Sequence, residues 1–145
     1  MTDLTLTIDR LIKADPKRIY DAWLDPAMLS HFMRPEENVT IPVAQTDPRE
    51  GGRFVISMLA GDKEIPHSGT YLELRPHERI VFTWESPFST EGSTVTVTLA
   101  PEPGGTRITL THVKFQSEEM RGNHEKGWGG ILDALKTLCS EKVQS

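Results

Sequence analysis

Apolar and polar residues alternate at the start of the chain, where Leu4, Leu6 and Ile8, then Ile12, are interleaved with Thr5, Thr7 and Asp9. This period of two predicts a strand over about residues 3–13. Asp15-Pro16 follows as a helix start, with Asp15 as N-cap and Pro16 at the first helical position, where its missing N–H costs nothing. A helix over residues 16–24 would bury Ile19, Tyr20 and Trp23. Asp25-Pro26 repeats the signal and predicts a second short helix over residues 27–31, closed against the sheet by Leu29, Phe32 and Met33. Pro35-Glu36-Glu37-Asn38 reads as a turn.

Six further strands follow, separated by turn signals. Val39, Ile41 and Val43 mark the second strand of the chain, and Pro42 places it at a sheet edge. Residues 47–52 form a loop, and Phe54, Ile56, Met58 and Ala60 alternate along the third strand. Gly61-Asp62 suits a two-residue hairpin turn with glycine first. The fourth strand spans about residues 64–74, with Gly69 as a candidate bulge, and the fifth, residues 79–85, carries Phe82 and Trp84. After a polar loop at 87–92 come a sixth strand over 93–100, a turn at Pro101-Glu102-Pro103-Gly104-Gly105, and a seventh strand over 106–115 with Ile108, Leu110 and His112 on one face.

The last predicted element is a helix over about residues 117–143. Met120, His124, Trp128, Ile131, Leu135 and Leu138 form one stripe at helical spacing, widened by Leu132 and Cys139. A stripe this broad needs a large concave partner, and the preceding chain supplies strands. Gly127, Gly129 and Gly130 fall within this helix, each at a cost of about 1 kcal/mol relative to alanine. Two readings account for that cost: tight packing of helix on sheet around Trp128, or a ligand cavity roofed by the helix. The element order is β-α-α-β-β-β-β-β-β-α, an α+β chain with an antiparallel sheet whose first strand joins at an edge.

Composition narrows the function classes. The 145 residues suit one domain, 1–145, without internal repeat or linker. A net charge of −5 offers no basic stripe for nucleic acid. The single cysteine, Cys139, precludes an internal disulfide and fits a reducing compartment. Met1-Thr2-Asp3-Leu4-Thr5-Leu6 lacks the charged and apolar regions of a secretory leader, and no apolar run is long enough to span a membrane. A cytoplasmic protein, monomer or homodimer through an exposed sheet edge, is expected.

The run Ile12-Lys13-Ala14-Asp15-Pro16 through Asp25-Pro26 is followed by Gly51-Gly52-Arg53-Phe54, the segment Gly69-Thr70-Tyr71 through Phe82-Thr83-Trp84, Gly105-Thr106-Arg107-Ile108 through His112, and Gly127-Trp128. Together and in this order these segments resemble the AHSA1-like family, relatives of the C-terminal domain of the activator of Hsp90 ATPase within the START/Bet v 1-like (SRPBCC) superfamily. The resemblance implies a helix-grip fold: a curved antiparallel sheet wrapped around the long C-terminal helix, two short helices closing one end, and in many members an internal cavity. It implies as partners a small hydrophobic molecule or an Hsp90-type chaperone, and related superfamily members include cyclases. The chain departs from the pattern at Leu29-Ser30-His31-Phe32-Met33, where relatives often carry a tryptophan near the presumed cavity mouth.

Candidate chemistry is sparse. None of His31, His67, His77, His112 and His124 has zinc-site spacing, so no metal and no cofactor is expected. Only His112 and His124 look inward by pattern, and with Glu73 or Glu85 they would form an acid–base set across a cavity. No nucleophile elbow, P-loop or dinucleotide fingerprint is present, and no catalytic residue is assigned. The expected function is therefore binding of a small hydrophobic or amphipathic ligand between sheet and last helix. The expected lining is Trp23, Phe32, Met33, Phe54, Met58, Trp84, His112, His124 and Trp128.

Overall fold

Two aspartates set the first helices. Asp15 accepts a hydrogen bond from the Arg18 amide at 2.9 Å, with Pro16 in the first turn behind it. Asp25 ends the first helix and caps the second, accepting from the Ala27 amide at 2.9 Å. Each cap satisfies an amide that the helix itself leaves open. The computed structural model describes residues 4–34, 38–86, 92–115 and 117–142. Its elements are β1 (Thr5–Ile12), α1 (Pro16–Leu24), α2 (Pro26–Phe32), β2 (Val39–Thr46), β3 (Arg53–Ala60), β4 (Lys63–Arg75), β5 (Arg79–Thr83), β6 (Thr94–Glu102), β7 (Gly105–Val113) and α3 (Glu118–Lys142).

The strands form one antiparallel sheet in the order β1-β7-β6-β5-β4-β3-β2. β1 returns to pair with β7 across the full register Thr5↔Val113 to Ile12↔Thr106, so the chain's first and seventh strands lie side by side. β2 occupies the opposite edge and carries an irregularity between Thr40 and Val43, where Pro42 has no amide to donate. The expected α+β helix-grip arrangement is present: a curved antiparallel sheet with the long helix α3 against it and α1 and α2 at one end. No helix among the described residues is long and apolar enough to cross a membrane.

The sheet differs from expectation in three places. β6 runs on through Pro101 and Glu102, and the turn shrinks to Pro103-Gly104, because Glu102 still pairs with Gly105 and Gly104 takes a φ of +93° that glycine tolerates. β5 ends at Thr83 rather than at 85, although Trp84 still donates its amide to the Ser93 carbonyl. The irregularity of β4 lies between Tyr71 and Glu73 rather than at Gly69, and Leu72 there is exposed. Gly69 has a different role, since it sits opposite Phe54 in the β3–β4 register. A Cβ there would come within 2.0 Å of the Thr83 carbonyl and 2.6 Å of the Phe54 ring. Most of the expected turn at 35–38, most of the expected loop at 87–92, residue 3 and residue 143 lie outside the described residues.

The core fills the concave side of the sheet. Trp23, Phe32, Phe54, Phe82, Trp84 and Trp128 are all buried, and their rings contact one another in sequence. α3 is buried unevenly along its length. From Trp128 onward, Ile131, Leu132, Leu135 and Cys139 are sealed, whereas Met120 and His124 on the same stripe are only half-buried. The stripe predicted from sequence is thus covered by the sheet in its C-terminal half alone. Its N-terminal half overhangs a gap.

Candidate ligand cavity

That gap is a cavity of about 800 Å³ that opens to solvent between α3 and the β3–β4 side of the sheet. The sheet contributes Met58 from β3, Ile65 and His67 from β4, and Trp84 just past β5. These residues meet because β3 and β4 form a hairpin in which Met58 pairs with Ile65 and Ile56 with His67. The helix contributes Met120, His124, Gly127 and Ile131, spaced four, three and four residues apart on one face. Gly127 stands in that face without a side chain, so room remains where the stripe would otherwise fill the gap. Gly129 answers the other reading of the helix glycines: its Cβ position lies 3.4–3.5 Å from the side chains of Arg10 and Ile8, so it packs on β1. Asn123 and Lys126, both exposed, stand at the rim.

Two aromatic rings make the inner wall. Trp84 and Trp128 lie 4.8 Å apart between centroids, and the His67 ring tilts against Trp84 at 4.9 Å. Behind Trp128 sits His112, fully buried. The Trp128 indole donates its Nε1–H to His112 Nδ1 at 3.0 Å. An indole nitrogen is only a donor, so Nδ1 must be the bare nitrogen and Nε2 carries the proton, which it donates to Ser93 Oγ at 2.6 Å. Burial, reinforced by nearby His124, pushes the His112 pKa down to about 3, in keeping with this neutral ring. His67 is pushed down to about 4, chiefly by burial, with hydrogen bonding to the backbone at Ile65 and Ile56 pulling the other way and His124 adding to the depression. His124 donates from Nδ1 to the Met120 carbonyl at 2.8 Å, which orients the ring and leaves Nε2 unengaged by that bond.

Of the side chains expected to line a cavity, Met58, Trp84, His124 and Trp128 meet at this one. Trp23, Met33 and Phe54, with Trp84, surround instead a void of about 10 Å³, room for about one water molecule. Phe32 is fully buried against Trp23, and His112 is screened by Trp128. In the segment from Leu29 to Met33, which the resemblance puts near the cavity mouth, Leu29, Phe32 and Met33 are buried in the core and His31 is exposed. His67 was missed as an inward residue. The signal was available, since along β4 the buried positions are His67, Gly69 and Tyr71, a clean period of two anchored by the tyrosine.

The carboxylates considered for an acid–base set do not reach the cavity. Glu85 is held on the sheet surface by Arg53 and Thr83, and those bonds, Arg53 first, lower its pKa. Glu73 pairs with Arg75 and Arg79. Among the described residues, no group of three or more histidine, cysteine or acidic side chains is placed to hold a metal ion.

The sequence matches the family model described as activator of Hsp90 ATPase homolog 1-like protein over residues 13–140. Among solved structures, a protein from Chromobacterium violaceum superposes with a TM-score of 0.83 at 30% identity, covering 94% of this chain and 96% of that one. An AHSA1-like protein from Aeromonas hydrophila superposes with a TM-score of 0.81 at 26% identity, covering 92% of this chain and 90% of its own. A protein from Nitrosomonas europaea, at 22% identity and a TM-score of 0.82 over 98% of this chain and 97% of that one, shares the fold. No curated protein matches the sequence. With a sheet and gripped helix of the same form and a family match over most of its length, this chain belongs to the activator of Hsp90 ATPase homolog 1-like family.

Proposed function

We propose that residues 1–145 act as one domain that binds a small hydrophobic or amphipathic molecule between α3 and the β3–β4 side of the sheet. The observation that carries this reading is the cavity of about 800 Å³ with Met58, Trp84, Trp128 and Ile131 on its wall. Its size falls within the range of small-molecule sites, and its lining is mostly apolar with a few polar groups, as such sites require. The two methionines, Met58 and Met120, can adjust to ligands of different outline. An acid–base enzyme has less support, because Glu73 and Glu85 are committed to arginines elsewhere on the sheet.

Native mass spectrometry of the freshly purified protein, beside its denatured mass, tests the reading. The expected result is an extra mass that persists in the native spectrum and vanishes on denaturation. A bare native mass that stays bare after incubation with medium-chain amphiphiles would overturn it. In that case, co-purification of an Hsp90-type chaperone with the tagged protein would move the function to the partner named in the family's description.

A further inference from the structure

We infer that the occupant of this cavity is an amphiphile with an anionic head, of the carboxylate class, held at the Asn123–Lys126 rim with its apolar tail against Trp84 and Trp128. The inference rests on the ligand-binding reading above and adds the charge and orientation of the ligand. Acidic residues outnumber basic ones in this chain, 21 against 16. Yet the charged and titratable side chains on the cavity wall are His67, His124 and Lys126, and no aspartate or glutamate is among its described lining. A cavity in an acidic protein whose opening carries the ammonium of Lys126 and whose described lining carries no carboxylate is better matched to an anionic head than to a cationic one.

The polar groups are also segregated. Asn123, His124 and Lys126 stand on α3 at the opening, with Asn123 and Lys126 exposed and the intervening Glu125 outside the lining. Met58, Ile65, Trp84, Trp128 and Ile131 supply the apolar wall. A molecule polar at one end and apolar at the other fits this division; a molecule polar throughout would strand its inner groups against hydrocarbon.

Isothermal titration with decanoate, decanol and decylammonium, at concentrations below their micelle points, separates the alternatives. Decanoate should bind about fivefold or more tighter than decanol, and decylammonium weakest, the scale expected of one solvent-exposed ion pair with polar support. Lys126→Glu, at an exposed position whose change leaves the core alone, should remove the preference for decanoate over decanol. Equal binding of all three, or strongest binding of decylammonium, would overturn the anionic head and leave the apolar cavity standing. Binding of none, with the melting temperature unmoved, would overturn the ligand-binding reading itself. A decanoate preference that survives in Lys126→Glu would show that the head group does not sit at this rim.

Discussion

Trp128 and His112 are joined across the helix–sheet interface by a buried hydrogen bond of 3.0 Å from indole Nε1 to imidazole Nδ1. The bond fixes both partners. It sets the tautomer of His112, directs Nε2–H to Ser93 Oγ, and so ties α3 to β7 and to the residue preceding β6. It also holds the Trp128 ring at the angle from which it walls the cavity on one side and packs near Trp23, 6.4 Å away, on the other. One side chain therefore serves the core and the cavity together.

Trp128→Ala should cost about 3–5 kcal/mol, because a fully buried ring is removed and its neighbours cannot close the space. Trp128→Phe keeps most of the packing but leaves His112 Nδ1 buried without a donor, which should cost about 1–3 kcal/mol. Urea denaturation of both variants checks the order. A loss of less than about 1 kcal/mol in the alanine variant would mean that the ring does not anchor the core.

The buried histidines predict the acid side of the stability profile. Folding holds His112 at about 3 and His67 at about 4, while an unfolded histidine titrates near 6.5. The unfolded chain therefore takes up protons below that pH before the folded chain does. The contribution of the neutral rings is complete above about pH 7 and is lost as the pH falls from about 6.5 toward 4 and then 3. Between pH 7 and pH 5 the loss should be about 2 kcal/mol for each histidine. Urea melts at the two pH values measure it, and His67→Leu should show the smaller drop of a chain with one buried histidine. Equal stability at pH 7 and pH 5 would show that these rings are solvated.

The parts of this fold that were legible in the sequence are those fixed by local chemistry. Asp15 and Asp25 cap helices through bonds that span only two or three residues, and the prolines beside them admit few alternatives. Strand alternation located all seven strands, and Pro42 identified an edge. The cavity was only half legible. A helical stripe shows which residues share a face, but not how far along the helix the sheet covers it. That depends on where β3 and β4 end relative to α3, a relationship between residues about sixty positions apart. Hence Trp23, Phe32, Met33 and Phe54, with the same aromatic and thioether chemistry as Trp84 and Met58, lie in closed core, while Ile65 and His67 reach the cavity.

Gly69 makes a prediction of the opposite kind, in which a small gain of volume is costly. Its Cβ would meet a backbone oxygen at 2.0 Å, and the Phe54 ring behind it at 2.6 Å is enclosed by Tyr71, Phe82 and Trp84. Neither can yield without moving β5 or repacking the aromatic cluster. Gly69→Ala should therefore destabilise by about 1–3 kcal/mol or more, despite alanine's lower cost in unfolded-chain entropy. Chemical denaturation checks it; a neutral or stabilising outcome would mean that β4 and β5 separate easily at this point.

Gly127 separates the cavity from the fold. Gly127 is half-buried and faces the cavity, and replacing a helical glycine there with a good helix former should stabilise by about 0.5–1 kcal/mol. Gly127→Leu keeps that gain and also places a branched side chain between Met120, His124 and Ile131, on the face that looks into the cavity. The variant should melt at or above the temperature of the parent yet lose at least about tenfold in affinity for decanoate and decanol alike, since the space for the tail is taken. Thermal melts and isothermal titration on the same preparations give both readings. Undiminished binding in a stable Gly127→Leu protein would move the ligand away from the α3 face and so separate this cavity from whatever the chain binds.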